Sequence, residues 1–282
     1  MTDQPLIDVN ELAARVSAGE VVVADCRFSL ADPELGRAQY EQGHVPGATF
    51  FDLARDLSSP VAVHGGRHPL PDPHALAQRL AQAGLSERAL VVAYDDSRLG
   101  FAARFWWLLR YLGHRNVRVL DGGFKAWVAA SLPVSTELPA PRPGSFVPRP
   151  EPSLLATREE VLALVQAGNR GSNLIDAREP KRFRGEEEPI DPVAGRIPGA
   201  RSFPWQDFTS PDGAVISDAA NRERWAALPR AQPSILYCGS GVTACVNALS
   251  LRAAGVTNVR LYAGSFSDWC SYPDSPIARG AE

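Results

Sequence analysis

The chain contains one unit written twice, and a repeat constrains a fold more tightly than any single motif. Val22-Val23-Ala24-Asp25-Cys26-Arg27 matches Leu174-Ile175-Asp176-Ala177-Arg178, with Asp25 facing Asp176. Gly43-His44-Val45-Pro46-Gly47-Ala48 matches Gly195-Arg196-Ile197-Pro198-Gly199-Ala200. Leu90 to Tyr94 matches Ser234 to Tyr237, and Asn116 to Gly122 matches Asn258 to Gly264. Phe124 and Trp127 then pair with Phe266 and Trp269. Because order and spacing persist along both halves, the 282 residues are expected to form two domains. Between them stand Pro133, Pro139, Pro141, Pro143, Pro148, Pro150 and Pro152. Proline at that density cannot continue a helix or a central strand and stiffens a connector. The expected organisation is an N-terminal domain over 1–136, a linker over 137–152 and a C-terminal domain over 153–282.

Within each copy, short apolar runs alternate with amphipathic stretches. Leu90 to Ala93 and Ser234 to Tyr237 have the character of buried strands. Phe101 to Leu112 and Thr243 to Ala254 carry apolar residues at helical spacing, and Gly255 is placed to end the second helix. This alternation predicts an α/β fold, each copy a parallel sheet flanked by helices on both faces. Ligands of such sheets sit beyond the carboxyl ends of the strands, and Cys238 directly follows one of those ends. Asp25 and Asp176, also at strand ends, are expected to accept backbone N–H groups.

Composition narrows the partners. A formal net charge of −3 and a pI of about 6.0 provide no field to attract nucleic acid or an anionic membrane. The N-terminus has neither a basic n-region nor an apolar h-region, and no apolar run reaches the ~20 residues of a membrane span. The four cysteines, Cys26, Cys238, Cys245 and Cys270, form no Cys-x-x-Cys pair. They read as free thiols of a reducing compartment, so a cytoplasmic location is expected.

The loop Cys238-Gly239-Ser240-Gly241-Val242-Thr243 carries the chemistry. Two glycines let successive amides turn inward as an anion-binding nest, and the following helix N-terminus adds further unsatisfied N–H groups. A thiol held there is expected to favour its thiolate, and the same cradle suits an anionic persulfide. Ser240 and Thr243 add hydroxyls at the rim. A metal is not expected, because one Cys without a neighbouring His is a poor ligand set. Cys245, among Val242, Val246 and Leu249, reads as core packing, and Cys26 and Cys270 read as structural. His44 reads as a structural hydrogen-bonding residue, whereas His64, His74 and His114 read as surface residues. In the first copy Asp95 stands at the Cys238 position and Arg98 at that of Gly241. The expectation is that this copy has lost both nucleophile and nest.

The tandem copies, the two Pro-Gly-Ala turns, the Asp-for-Cys exchange and the loop through Ala244 together resemble the rhodanese superfamily of sulfurtransferases. The resemblance covers nearly the whole chain, and the loop is its most specific part. It implies two tandem rhodanese-like domains, the first catalytically inactive, and transfer of sulfane sulfur through a Cys238 persulfide. Gly239-Ser240-Gly241 resembles the 3-mercaptopyruvate type, whereas the thiosulfate type carries basic residues after the Cys. The implied donor is a small anion, and the implied acceptor a thiol, thioredoxin or cyanide. No metal or organic cofactor is implied.

The resemblance also assigns residues. Among the basic residues of Arg178 to Gly185, Arg182 matches the carboxylate-binding arginine, while Lys181 and Arg184 read as solvated charges. The loop residues Gly239, Gly241, Val242 and Thr243 complete the donor cradle. A second arginine is implied some nine residues after Arg182, but Glu188-Pro189-Ile190-Asp191-Pro192 contains none. Arg196, at the position of the usual His in the Pro-Gly-Ala turn, is the candidate to replace it. A Ser–His–Asp relay is implied, in which Ser240 and His68 match the first two members. Ala54, flanked by Asp52 and Asp56, stands at the acidic position, so the relay is incomplete as written. A thiosulfate sulfurtransferase with the same persulfide is the alternative enzyme. A sulfur-carrier or redox-sensing module without turnover is the alternative of another class. A phosphatase is disfavoured because the loop lacks a terminal arginine.

Overall fold

The computed structural model describes residues 4–140 and 143–281. Met1, Thr2, Asp3, Glu282 and the linker residues Pro141 and Arg142 lie outside them. The first copy has strands Leu6–Ile7 (β1), Val21–Asp25 (β2), Thr49–Phe50 (β3), Leu90–Tyr94 (β4) and Val117–Leu120 (β5). Its helices are Val9–Ala18 (α1), Leu35–Gln42 (α2), Pro73–Gln82 (α3), Ala102–Tyr111 (α4) and Gly123–Ala129 (α5). The second has strands Asn173–Asp176 (β6), Arg201–Ser202 (β7), Ser234–Tyr237 (β8) and Val259–Leu261 (β9). Its helices are Arg158–Gln166 (α6), Pro180–Arg184 (α7), Asp218–Arg224 (α8), Ala244–Ala253 (α9) and Ser265–Trp269 (α10).

Both sheets are parallel, in the orders β1-β5-β4-β2-β3 and β7-β6-β8-β9. The counterpart of β1 is reduced in the second copy to one parallel bridge. Leu6 pairs with Val119 in the first copy, and Leu155 alone meets Leu261 in the second. Strand alternation then sets the two faces. Val92 and Tyr94 of β4 join Leu12 of α1 and Trp127 of α5 in one buried cluster. Val91 and Ala93 point to the opposite face, where α4 packs on β4 and β5. The second copy repeats the arrangement, with Ile235 and Tyr237 against Val161, Phe266 and Trp269, and α9 behind β8 and β9. Helices therefore cover both faces of each sheet, as the alternation of runs predicted.

The strand-end aspartates do more than accept amides. Asp25 and Asp176 do receive the backbone N–H of Arg27 and Arg178, but their main partners are the guanidinium groups of those arginines. Arg27 Nη2 donates to Asp25 at 2.6 Å and to the Gly43 carbonyl at 2.7 Å. Arg178 Nη2 donates to Asp176 and to the Gly195 carbonyl, both at 2.7 Å. Tyr94 and Tyr237 accept from Val45 N and Ile197 N of the Pro-Gly-Ala turns. The guanidinium groups lie 4.2 Å from the Phe124 centroid and 4.0 Å from that of Phe266. Burial disfavours the Arg178 charge, yet the Asp176 carboxylate more than compensates and holds its pKa above the ordinary arginine range. A buried pair is tolerated only when its donors are used, and here they tie strand end to turn.

The chain divides into two compact units that do not follow the order of the sequence. One contains residues up to Ser59, Leu70–Glu151 and Thr209–Val215; the other contains Pro60–Pro69, Pro152–Phe208 and the residues from Ile216 onward. Two segments thus sit in the unit opposite to the half of the sequence they come from. Part of the linker packs on the first unit, where Arg149 N and Glu151 N donate to Leu112 O and Tyr111 O.

The nest of the first copy is retained, which corrects the expectation that it was lost. Arg98 and Leu99 adopt φ of 59° and 69°, the left-handed region that Gly241 occupies at 77°. The Asp95 carboxylate, fully buried, accepts from Ser97 N, Leu99 N, Phe101 N and Ala102 N at 2.8–3.0 Å. The side chain itself is the anion in the cradle. Asp95→Ala leaves buried amides unsatisfied and is expected to destabilise this unit by about 3 kcal/mol, read as a lower urea midpoint at unchanged m-value.

Candidate active site

The loop of the second copy leaves β8 at Tyr237 and is clamped from below. Cys238 N donates to Ser265 Oγ at 3.1 Å, while Phe266 N and Ser267 N donate to Cys238 O and Gly239 O at 3.0 and 2.9 Å. Ser265 is buried with φ 57°, a conformation costing a non-glycine residue about 1–2 kcal/mol. Its hydroxyl, held by the Tyr262 carbonyl, is what that strain positions. Gly241 must be glycine on two counts: φ is +77°, and a Cβ would lie 2.1 Å from the Ala263 carbonyl oxygen. Cys238 is 1% exposed, with the buried Val242 beside it and Thr243 leading into α9. Cys245 is buried on α9 with its sulfur 3.4 Å from the Gly241 carbonyl, in keeping with a packing role.

The segment Pro60–Pro69 brings two further groups to this loop. His64 stacks on Tyr272 with ring centroids 3.8 Å apart and bonds Ser271 Oγ at 2.8 Å. Gly65 N donates to Asp268 at 2.7 Å and Arg67 N to Ser267 Oγ at 3.1 Å. Gly66 packs so closely, at φ +80°, that a Cβ would lie 2.4 Å from the Gly264 carbonyl oxygen. The segment is therefore fixed to the same turn that clamps the loop. His68 Nδ1 reaches Ser240 Oγ at 2.9 Å, which unites the two residues singled out for a relay. Asp52 and Asp56, the acidic neighbours of Ala54, are used in their own turn. Asp52 accepts from Ala54 N and Arg55 N, and Asp56 accepts from Asp52 N.

Two guanidinium groups converge on Gly239. A Cβ there would lie 2.9 Å from Arg67 Nη2 and 3.3 and 3.4 Å from Arg182 Nη2 and Nη1. The absence of a side chain after Cys238 is thus what leaves room for both. Arg182 donates to Glu188 at 3.1 and 2.8 Å and to Asp191 at 3.0 Å. Arg67 Nη1 pairs with the other oxygen of Asp191. Burial and the adjacent Arg182 charge lower the Arg67 pKa from the usual arginine value. Sequence reasoning missed Arg67; its one signal was adjacency to His68 in a Gly-Gly-Arg-His segment.

Two expectations need revising. Arg196 does not join the donor set: its guanidinium donates to the Gly280 carbonyl at 2.7 Å and to those of Phe183 and Ala281, over the Phe183 ring. It ties the chain terminus to the Pro-Gly-Ala turn, as His44 ties the Glu137 carbonyl in the first copy. His64 is exposed, as expected of a surface residue, and stacks on Tyr272, whereas His114 is buried with Nε2 near the Ala89 carbonyl at 3.0 Å and is not a surface residue. Lys181 and Arg184 do form exposed surface pairs with Glu187 and Glu186. Among the described residues, no group of three or more His, Cys, Asp or Glu is placed to hold a metal ion. No described helix is long and apolar enough to cross a membrane.

A buried thiol beside a hydroxyl–imidazole pair and two guanidinium groups suits nucleophilic attack on a small anion. The model of the rhodanese-like domain matches residues 8–130 and 157–272. The chain belongs to the rhodanese family. This rhodanese is 47% identical, over 99% of its length and all of the relative's, to a Pseudomonas aeruginosa protein named "Probable 3-mercaptopyruvate sulfurtransferase". It is 35% identical over 98% of its length to the thiosulfate sulfurtransferase of Bos taurus, covering 95% of that protein. The solved 3-mercaptopyruvate sulfurtransferase of Leishmania major superposes with a TM-score of 0.85 at 29% identity, over 98% of this chain and 77% of that one.

The loop of this rhodanese is held by its backbone contacts, so Gly241→Ala is expected to act on structure first. It should lower stability by about 2 kcal/mol or more through strain and the Ala263 clash, and slow alkylation of Cys238 by iodoacetamide. Thermal denaturation and the alkylation rate measure the two effects.

Proposed function

We propose that this rhodanese is a sulfurtransferase that takes sulfur from 3-mercaptopyruvate and passes it to a thiol acceptor through a persulfide on Cys238. The observation that carries the reading is the 2.9 Å contact between Ser240 and His68 on the loop that also bears the nucleophile. Mercaptopyruvate differs from thiosulfate in that its leaving group is a carbon, which needs a proton. A hydroxyl backed by an imidazole supplies one, and a donor that leaves as sulfite has no such need. The likeness to the Pseudomonas aeruginosa protein supports the same donor.

The Cys238 thiolate attacks the sulfur of mercaptopyruvate, and the S–S bond of the persulfide forms as the carbon–sulfur bond breaks. The electron pair goes to the pyruvate enolate carbon, which receives a proton from Ser240, replaced through His68. Loop amides and the N-terminus of α9 stabilise the sulfur anion, and Arg182 holds the donor carboxylate. A thiol, thioredoxin or cyanide then attacks the outer sulfur, and Cys238 leaves as the thiolate. The free thiols suit a cytoplasmic location, where such acceptors stay reduced.

Mercaptopyruvate alone should add one sulfur, about 32 Da, to the protein and release an equivalent of pyruvate. Cys238→Ser should abolish both; a variant that still gains the mass removes Cys238 from the mechanism. Ser240→Ala and His68→Ala should each lower kcat about 100-fold with this donor. A larger kcat/KM for thiosulfate than for mercaptopyruvate would assign the enzyme to the thiosulfate type, the name its bovine relative bears.

A further inference from the structure

We propose that Glu188 and Asp191 are specificity-determining residues that set the charge of the donor: one bearing a single negative charge is taken, and one bearing two is refused. The proposal rests on the reading of Cys238 as a nucleophile that accepts sulfur. The loop itself contributes no charged side chain between Gly239 and Thr243. The guanidinium groups of Arg67 and Arg182 stand over Gly239, and Arg178 is joined to Arg182 through Glu188. Each of these cations is answered. Asp176 and Glu188 bind Arg178 at 2.7 and 3.3 Å, Glu188 and Asp191 bind Arg182 at 2.8 and 3.0 Å, and Asp191 also binds Arg67. Three guanidinium groups and three carboxylates leave this line without net charge. Glu179, 4.0 Å from Arg182, adds a further negative charge at the rim.

The two carboxylates are fixed parts of the site. Their side chains are 3% and 1% exposed, and Glu188 also accepts Ile190 N and Asp191 N at 3.1 and 3.0 Å. At that burial neither water nor counterions screen their charge. A donor with one charge exchanges its hydration for guanidinium and amide N–H groups. A second charge on the donor must also be desolvated, and it meets no net positive charge in return. It is repelled instead by Glu188 and Asp191 and by the Cys238 thiolate that attacks it. A site discriminates by what it sets against the wrong ligand as well as by what it offers the right one. Mercaptopyruvate with its sulfur protonated carries one charge, whereas thiosulfate carries two.

The test uses the full chain with cyanide as acceptor, reads thiocyanate, and compares two donors that differ in charge but leave by the same chemistry. The methanethiosulfonate anion carries one negative charge and thiosulfate two. In both, the Cys238 thiolate takes the outer sulfur as the donor's sulfur–sulfur bond breaks. The electron pair leaves on methanesulfinate or on sulfite, and no proton is required. The parent chain should show kcat/KM at least about fivefold higher for methanethiosulfonate. Asp191→Asn and Glu188→Gln should each lower that ratio at least about threefold, and Asp191→Glu, which keeps the charge, should hold it within about twofold. A merely structural role would depress both donors together and leave the ratio unmoved. Melting temperatures establish that each variant is folded, and the parent's ratio needs no variant. A smaller parent ratio, neutral variants that keep the parent's ratio, or Asp191→Glu shifting it as far as Asp191→Asn overturns the proposal. Pyruvate release from 3-mercaptopyruvate is scored separately, so the proposal and the donor reading fail independently. A parent that forms no thiocyanate from either donor and no pyruvate overturns both.

Discussion

The buried contact of Arg178 with Asp176 is the interaction from which the rest of the second unit is built. Asp176 ends β6, and Arg178 carries that end to the carbonyl of Gly195 in the Pro-Gly-Ala turn. The same guanidinium reaches Glu188 at 3.3 Å, Glu188 holds Arg182, Arg182 holds Asp191, and Asp191 holds Arg67. Charge alternates along this line from the sheet to the loop that carries Cys238. The end of a rigid strand is thereby connected to the groups that would meet a substrate. Removing one member from such a line leaves its neighbour buried without a partner, which is costly in proportion to its burial.

The first unit has the same frame without the extension. Arg27 and Asp25 reproduce the pair, Gly43 the carbonyl and Tyr94 the hydroxyl. What differs is the occupant of the nest. In the first unit the Asp95 carboxylate satisfies these amides, whereas the second unit carries Cys238 at the same position. Four hydrogen bonds from backbone amides make that carboxylate a structural element.

Much of this was legible in the sequence because it is local or repeated. β4, β8, α4 and α9 fall within a residue of the runs that predicted them, and Gly255 ends α9 in the left-handed conformation at φ 81°. The loop after Tyr237 was readable because strand, glycines and helix follow one another directly. The rest depended on contacts distant in sequence. Nothing near Arg67 announces Asp191, and nothing near Arg196 announces Gly280 or Ala281. Ser265 resembles any serine until its φ of 57° places the hydroxyl under Cys238. Asp95 misled because a missing glycine suggests a missing nest, whereas Arg98 and Leu99 accept the strained conformation in its stead.

The ten residues Pro60–Pro69 have a consequence for how this chain can be divided and recombined. A gene cut at the proline-rich linker would separate Arg67 and His68 from Ser240, Asp191 and Cys238. The fragment from the second half would carry Cys238 and Ser240 without the imidazole that bonds Ser240. A hybrid joined at the same point would combine one parent's arginine with the other parent's carboxylate. The Arg67–Asp191 pair thus joins residues from opposite sides of the linker, and only the tandem chain carries both.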